Sequence, residues 1–258
     1  MSGDVTQLTM TALPGLPIVQ PGDDILAVVD GGMRNAGLTF ADGDVLVLAQ
    51  KIVSKAEDRF IDLNAIAPSA RAEELAAATG KDPRLVEVVL GEAQEVLRYK
   101  MGVLIVVHRL GLVVANAGVD ASNVQQADGA ERVLLLPLDP DGSAAKLRAR
   151  IREAHGADVA VIINDSVGRA WRNGTVGLAL GSSGLPALHD IRGEHDMFGR
   201  ELMVSVVALA DELSAAASVL QGQGDEGTPA VLMRGIQFPK DDLPAASLLR
   251  PLEEDMFR

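Results

Sequence analysis

Two stretches of this 258-residue chain, Val45–Ala49 (VLVLA) and 159–163 (VAVII), are aliphatic at every position, and each runs straight into polar residues, QKIVSK and NDS. Short unbroken runs of β-branched and aliphatic residues read as strands buried in a sheet. The first is introduced by a turn, Asp42-Gly43-Asp44. A buried strand presents at its end whatever follows it, so these two polar sequels are the first places to look for chemistry.

Around these strands the pattern changes repeatedly. Residues 24–36 place Ile25, Val28, Val29 and Met33 on one helical face. Residues 68–80 predict a helix closed by Gly80, and the next helix opens with Asp82 as cap and Pro83 in its first turn. Residues 103–109 and 111–118 predict a hairpin. Further on, the pattern predicts a helix over 143–155 capped by Ser143, strands at 158–163 and about 202–207, a helix over about 209–220 and a strand at 230–233. The proline-punctuated, charged tail from Phe238 onward reads as surface. Some strands follow one another directly and others alternate with helices. That mixture predicts an α+β fold with a mixed β-sheet and flanking helices, in one unit spanning 1–258, not a doubly wound sheet.

Composition excludes several classes. Aromatic residues make up only 3% of the chain, so Leu, Val, Ile and Ala must fill the core. The absence of cysteine rules out disulfides, thiolate zinc sites and a cysteine nucleophile. No apolar run approaches the roughly 20 residues a bilayer-spanning helix needs. The start, MSGDVTQLTM, has neither the basic nor the apolar region of a secretory signal. The expectation is a cytoplasmic protein without a membrane partner. A formal charge of −13 repels nucleic acid, and a polyanionic ligand would require cations gathered locally, most simply metal ions held by carboxylates.

Two motifs mislead. Gly222-Gln223-Gly224-Asp225-Glu226-Gly227 is a literal GxGxxG, but a helix precedes it and a strand follows, the reverse of a dinucleotide-binding turn. HDIRGEHD concentrates His189, Asp190, Glu194, His195 and Asp196, yet its spacing matches no zinc pattern and suits a solvated loop. The only Gly-Lys pair, Gly80-Lys81, lacks the rest of a P-loop, and no G-x-S-x-G elbow occurs.

Three segments carry more. QKIVSK holds Lys51 and Lys55, two of the chain's six lysines, at a strand end where phosphate binding is reasonable; a solvated edge is the plainer reading. NAGVDASN offers Asp120 and Asn123 at a turn, and Asn164-Asp165-Ser166 follows VAVII. Two acids past apolar strands, with hydroxyl and amide oxygens nearby, suit Mg²⁺ or Mn²⁺, although such residues also serve as caps and turn formers.

LAQKIVSKAEDR, ANAGVDASN, INDSVGRAWRNG, IRGEHDMFGREL and ADELSAAASVLQGQGDEGTPAVLMRG, taken in order, closely resemble the coenzyme F420:L-glutamate ligase family over nearly the whole chain. The GRAWR run and the GQGDEG loop are the most specific pieces. The resemblance implies a ligase that uses GTP to condense L-glutamate with a carboxylate of the deazaflavin coenzyme precursor. It implies that nucleotide is held by Gly15, Leu16, Pro17 and Ile18, by Gln50, Lys51 and Lys55, by Asn123, and by the loop Gln221, Gly222, Gln223, Gly224, Asp225, Glu226, Gly227 and Thr228. It implies two divalent ions on Asp120, Asp165, Ser166 and Gln223, with K⁺ as a further candidate cation, and gives Asp120, Asp165 and Lys55 the catalytic roles. It also implies a two-lobed subunit in an intertwined homodimer, without the flavin-binding domain fused to some relatives. Ser166 stands where threonine is usual and keeps the hydroxyl. Thr175-Val176-Gly177 replaces a common Gln-Thr-Asp, removing an acid. A metal-dependent nucleotide phosphohydrolase and a non-catalytic nucleotide-binding protein are the competing readings.

Overall fold

The computed structural model describes residues 7–124 and 129–256. In chain order the elements are β1 (Thr9–Ala12), α1 (Ile25–Asn35), β2 (Val45–Ala49), α2 (Gln50–Ala56), β3 (Phe60–Asp62), α3 (Ala70–Thr79), α4 (Pro83–Glu92), β4 (Ala93–Lys100), β5 (Val103–His108), β6 (Val113–Ala115), β7 (Arg132–Leu134), α5 (Pro140–His155), β8 (Ala160–Arg169), β9 (Arg172–Ser183), β10 (His189–Asp190), β11 (Val206–Val207), α6 (Leu209–Gln221) and β12 (Ala230–Arg234). No helix among them is long and apolar enough to cross a membrane.

The central sheet has five strands in the order β1-β12-β2-β8-β9. Only β2 and β8 pair in parallel; the other neighbours are antiparallel, so the fold is α+β with a mixed sheet. The two all-aliphatic runs lie next to each other in its middle, and the reason they lack polar alternation is visible. Leu46, Leu48, Val161 and Ile163 pack under α1, α2 and α5, against residues such as Val29, Ile52 and Ile151. Val45, Val47, Ala160 and Ile162 face α6 through Ala210, Leu213 and Ala217. Both faces are covered, so both must be apolar.

A second cluster forms where α3 and α4 pack on the β4-β5-β6 sheet, around Leu75, Val86, Val89, Leu104 and Val106. Glu92 fastens this cluster to the main sheet. Its Oε2 accepts from Arg59 and Arg109, each at 3.0 Å. The same two guanidinium groups donate to the carbonyls of Leu136, Pro137 and Leu138, the segment entering α5.

The capping expectations hold for Asp82-Pro83 and Gly80, and Asp24 caps α1 as well. Four other expectations are corrected. Helix α5 begins at Pro140, with Asp139 as its cap accepting from Gly142 N at 2.9 Å, so Ser143 lies inside the helix. Strand β8 does not stop before Asn164-Asp165-Ser166 but carries them to Arg169, and β9 returns antiparallel beside it. Glycines hid β9. A Cβ at Gly181 would lie 2.2 Å from the Pro140 carbonyl carbon, and one at Gly177 would lie 2.3 Å from Ser214 O. They are sites of close helix approach, not turn signals. The strand expected at about 202–207 is reduced to Val206–Val207. The tail docks: Ala245 is buried in the main core and Asp242 pairs with Arg148 at 3.0 Å, while its residues 257 and 258 lie outside the described ones.

Asp44, only 1% exposed at the mouth of β2, accepts from Arg234 Nε and a terminal nitrogen, both at 2.7 Å, and from Ala41 N at 2.9 Å. The Arg234 side chain keeps 43% of its surface. Removing the arginine strands a buried carboxylate, whereas removing the acid leaves a guanidinium that reaches water. Arg234→Met should therefore cost about 3 kcal/mol and Asp44→Asn only about half that. Equal losses in urea denaturation would contradict this asymmetry.

Candidate active site

The sheet topology collects the sequence-predicted segments at one end. The C-terminal end of β1, the start of β12 and the C-terminal end of β2 coincide there, as the pairs Ala12↔Val231 and Ala230↔Leu48 establish. The parallel ladder between β2 and β8 stops at Ala49↔Asn164. Past that point β2 turns into α2, while β8 continues, paired only with β9, as a two-stranded arm. Asp165 is the first residue of β8 beyond the ladder.

Lys51 and Asp120 lie close enough for their charges to act on Asp165. Lys51 Nζ lies 2.7 Å from Asp120 Oδ2 and 2.7 Å from Ser122 Oγ. Ser122 closes a tight turn on Asp120, its N–H donating to Oδ1 at 2.7 Å and its hydroxyl to Oδ2 at 2.9 Å. Lys55, one helical turn after Lys51, donates to the Asn123 carbonyl at 2.7 Å. Asn123, in a left-handed conformation its side chain tolerates, donates from Nδ2 to Gly224 O at 3.1 Å. That bond ties the acidic turn to the glycine loop after α6. Asn164 reinforces the junction from below, donating to Gln221 Oε1 at 2.8 Å and to Ser214 O at 3.2 Å.

The charges are unbalanced in a directed way. Burial pushes the Asp165 carboxyl up to about 6; the Asp120 charge adds to this, and the Ser166 N–H and Lys51 only partly offset it. Burial would also raise Asp120, but the Lys51 and Ser122 hydrogen bonds outweigh it and hold that carboxyl below its ordinary value. Burial, and then the neighbouring Lys51, lower Lys55. The site thus holds a carboxylate raised by burial and an ammonium that pairs with no carboxylate among the described residues, each of which a bound ion of opposite sign would relieve.

Not every predicted residue meets this cluster. Gly15 to Ile18 follow Leu13, whose N–H bonds Ala230 O at 2.9 Å, so they leave the sheet at the same end, with Ile18 72% exposed. No hydrogen bond or ion pair among the described residues joins them to Lys51 or Asp120. Gln50 is buried and accepts from Ser54 Oγ at 2.8 Å. Glu226 accepts from Gly224 N at 2.8 Å and Thr228 donates to Leu220 O at 2.9 Å, which shapes the loop holding Gly222, Gln223, Asp225 and Gly227. Ser122 escaped the sequence reading, although Asp-x-Ser is a recognisable turn-forming pattern. The HDIRGEHD segment opens as the short strand β10 and continues as a largely exposed loop, in which Asp190 pairs with Arg192. Among the described residues no three His, Asp or Glu side chains gather as metal ligands. A metal here would rest on Asp120 and Asp165 with hydroxyl and amide oxygens, a hard donor set suited to Mg²⁺ or Mn²⁺.

Residues 15–235 match the model of the F420-0:gamma-glutamyl ligase family. The chain is 46% identical to the coenzyme F420:L-glutamate ligase of Methanothermobacter thermautotrophicus, over 97% of this chain and 99% of the relative. It is 45% identical to the proteins of the same name from Methanopyrus kandleri, over 99% and 100%, and Archaeoglobus fulgidus, over 95% and 94%. The chain belongs to this family.

Gly177 marks a close approach of α6 to β9. Any side chain there would meet the α6 backbone at Ser214 O, so glycine accompanies the close seating of α6 on β9.

Asp165 supplies a stability prediction. Its folded-state pKa lies above that of the unfolded chain, so the folded protein keeps a proton that the unfolded chain has released. Asp165 therefore costs stability as pH rises from about 4 through 6. Asp165→Asn should stabilise the metal-free protein by on the order of 2 kcal/mol at pH 7.5 and by little at pH 4, after allowance for partial exposure. Denaturation curves for both proteins at the two pH values would check it, and a variant less stable than wild type at pH 7.5 would refute it.

Proposed function

We propose that this protein joins L-glutamate to the deazaflavin precursor of coenzyme F420, in the cytoplasm, at the expense of GTP. The observation that carries the reading is the meeting of Lys51, Asp120 and Asp165 beyond the β2–β8 ladder, with Lys55 beside them and the glycine loop tethered through Asn123. The names of the relatives supply the amino acid and the coenzyme.

A carboxylate is a poor electrophile, so amide formation begins with its activation. The precursor carboxylate oxygen attacks the γ-phosphorus of GTP, giving an acyl phosphate and GDP. The glutamate amine then attacks the acyl carbon, the C–N bond forms, the C–O bond to phosphate breaks, and inorganic phosphate leaves with the proton balance completed by solvent. In this reading Lys51 and Lys55 meet the phosphates, which offset the burial that lowers Lys55. Asp120 and Asp165, with Ser166 and Gln223, hold two Mg²⁺ or Mn²⁺ ions, and K⁺ is a further candidate. Such ions supply charge neutralisation for the transferring phosphoryl group.

Purified protein given GTP, Mg²⁺ or Mn²⁺, glutamate and precursor should yield a product heavier by one glutamyl residue, with GDP and phosphate in equal amount. Asp165→Asn should lose nearly all of this turnover. GTP hydrolysis that is independent of both glutamate and precursor would instead favour the phosphohydrolase reading.

We further propose a homodimer. The loop between β10 and β11 exposes Met197 at 96% and Phe198 at 94%, with Met203 and Val204 also largely exposed. Burial in a second copy would remove this apolar surface from water. Light scattering should report a dimer that Phe198→Asp weakens; a fully active monomer at assay concentration would dispose of the proposal.

A further inference from the structure

The chain packs its core with aliphatic side chains and carries a single tryptophan, yet that residue is not inside. Trp171 is 87% exposed at the tip of the β8–β9 arm. It also holds a left-handed backbone, φ 65°, which a bulky side chain adopts only at a cost and which a glycine or asparagine would take more readily. On either side stand Arg169 and Arg172, paired across the arm. Among the described residues neither guanidinium forms an ion pair, and the buried Nε of Arg169 has no hydrogen-bond partner. In a chain of net charge −13, an exposed indole framed by two unneutralised arginines is an unusual local composition.

Its position gives it a meaning. The arm is the continuation of the strand that carries Asp165 and Ser166, past the point where β2 stops pairing. From Ser166 to Arg169 the strand covers about 10 Å, and the turn of Ala170 and Trp171 follows it. The candidate phosphate ligands Lys51 and Lys55, and the glycine loop bonded to Asn123, lie on the β2 and β12 side of Asp165. The arm extends past Asp165 along the strand direction. A ligand reaching from the acidic pair to the arm tip would have its reacting end at Asp165 and a flat end at Trp171, with negative charge near the arginines.

We propose that Trp171 stacks on the planar ring of the deazaflavin acceptor while Arg169 and Arg172 meet its anionic groups, making the arm tip the acceptor-binding subsite. This rests on the ligase reading for the identity of the acceptor. Aromatic stacking suits a flat ring, and guanidinium groups suit phosphate and carboxylate oxygens. Trp171 and the arginines act here in binding and selection, remote from the reacting carbonyl.

The single tryptophan makes a direct test available. Precursor added to the wild-type protein without GTP should quench Trp171 emission saturably, beyond the inner-filter loss seen with N-acetyltryptophanamide. GTP with Mg²⁺ alone should leave the emission unchanged. Trp171→Ala should raise KM for the precursor about tenfold or more, the scale expected for losing one aromatic stack, with KM for GTP unchanged. Trp171→Phe should recover most of that loss. Quenching by GTP but not by precursor would assign the indole to the nucleotide and overturn the proposal. So would emission that responds only to protein concentration, or an unchanged precursor KM in Trp171→Ala. Saturable quenching by precursor in a protein that forms no glutamylated product would uphold the subsite and count against the ligase reading, so the two failures are distinguishable.

Discussion

The parallel ladder between β2 and β8 ends at Ala49 and Asn164, and where it ends governs everything at the functional end of the molecule. Up to that pair the two strands are covered on both faces and hold only aliphatic side chains. One residue later the backbones separate. The space opened by the turn of β2 into α2 receives Lys51, and the strand that continues offers Asp165 to it. A longer β2 would have sealed Asp165 beneath another strand, and a shorter one would have left Lys51 too far along the sheet to share its field. Asp120 arrives from the second packing cluster, held in place by the backbone bonds between Asp120 and Leu134 at 2.8 and 3.1 Å.

Because the acidic turn and Asp165 come from different parts of the chain, their meeting depends on how the α3–α4 cluster is fastened to the main sheet. The Glu92 hub performs this fastening. Two arginines share one carboxylate oxygen, and each also bonds a carbonyl of the segment entering α5. The half-buried charges are thus fully engaged, the condition under which such groups define a geometry instead of merely costing solvation. By contrast, the site around Lys51, Lys55, Asp120 and Asp165 is left incomplete: burial raises the Asp165 carboxyl and lowers the Lys55 ammonium. A fold that tolerates this imbalance gives up some stability, a pattern found where a site awaits an ion or an anion.

Much of the fold was legible in residue order. The buried strands, the cap at Asp82, the glycine end of α3 and the β5–β6 hairpin follow from local pattern. So did Lys51, Lys55, Asp120 and Asp165 as residues of interest, since each lies in the polar segment that follows an apolar run. What local pattern misread were features created by contact between distant segments. Strand β9 carries glycines at Gly177 and Gly181 because helices press on it, and on sequence alone glycines read as breaks. Helix α5 starts one turn early because Pro140 suits a first turn, although Ser143 is also a good cap by composition.

The sequence by itself determined that this chain has an aliphatic, cysteine-free core, a mixed α and β organisation, and the motifs that place it in its family. Those are properties of composition and short spacing, and hydrophobic periodicity encodes them within a few residues. Tertiary structure decided which charges face one another. Asp120 and Lys51 lie 69 positions apart and Asp165 another 45, so their distances, the opposed shifts of their carboxyls and the outward arm bearing Trp171 exist only once the sheet has set the register. Electrostatic interaction falls with separation in space and is indifferent to separation along the chain, which is why the chemistry of the site emerges only in the folded molecule.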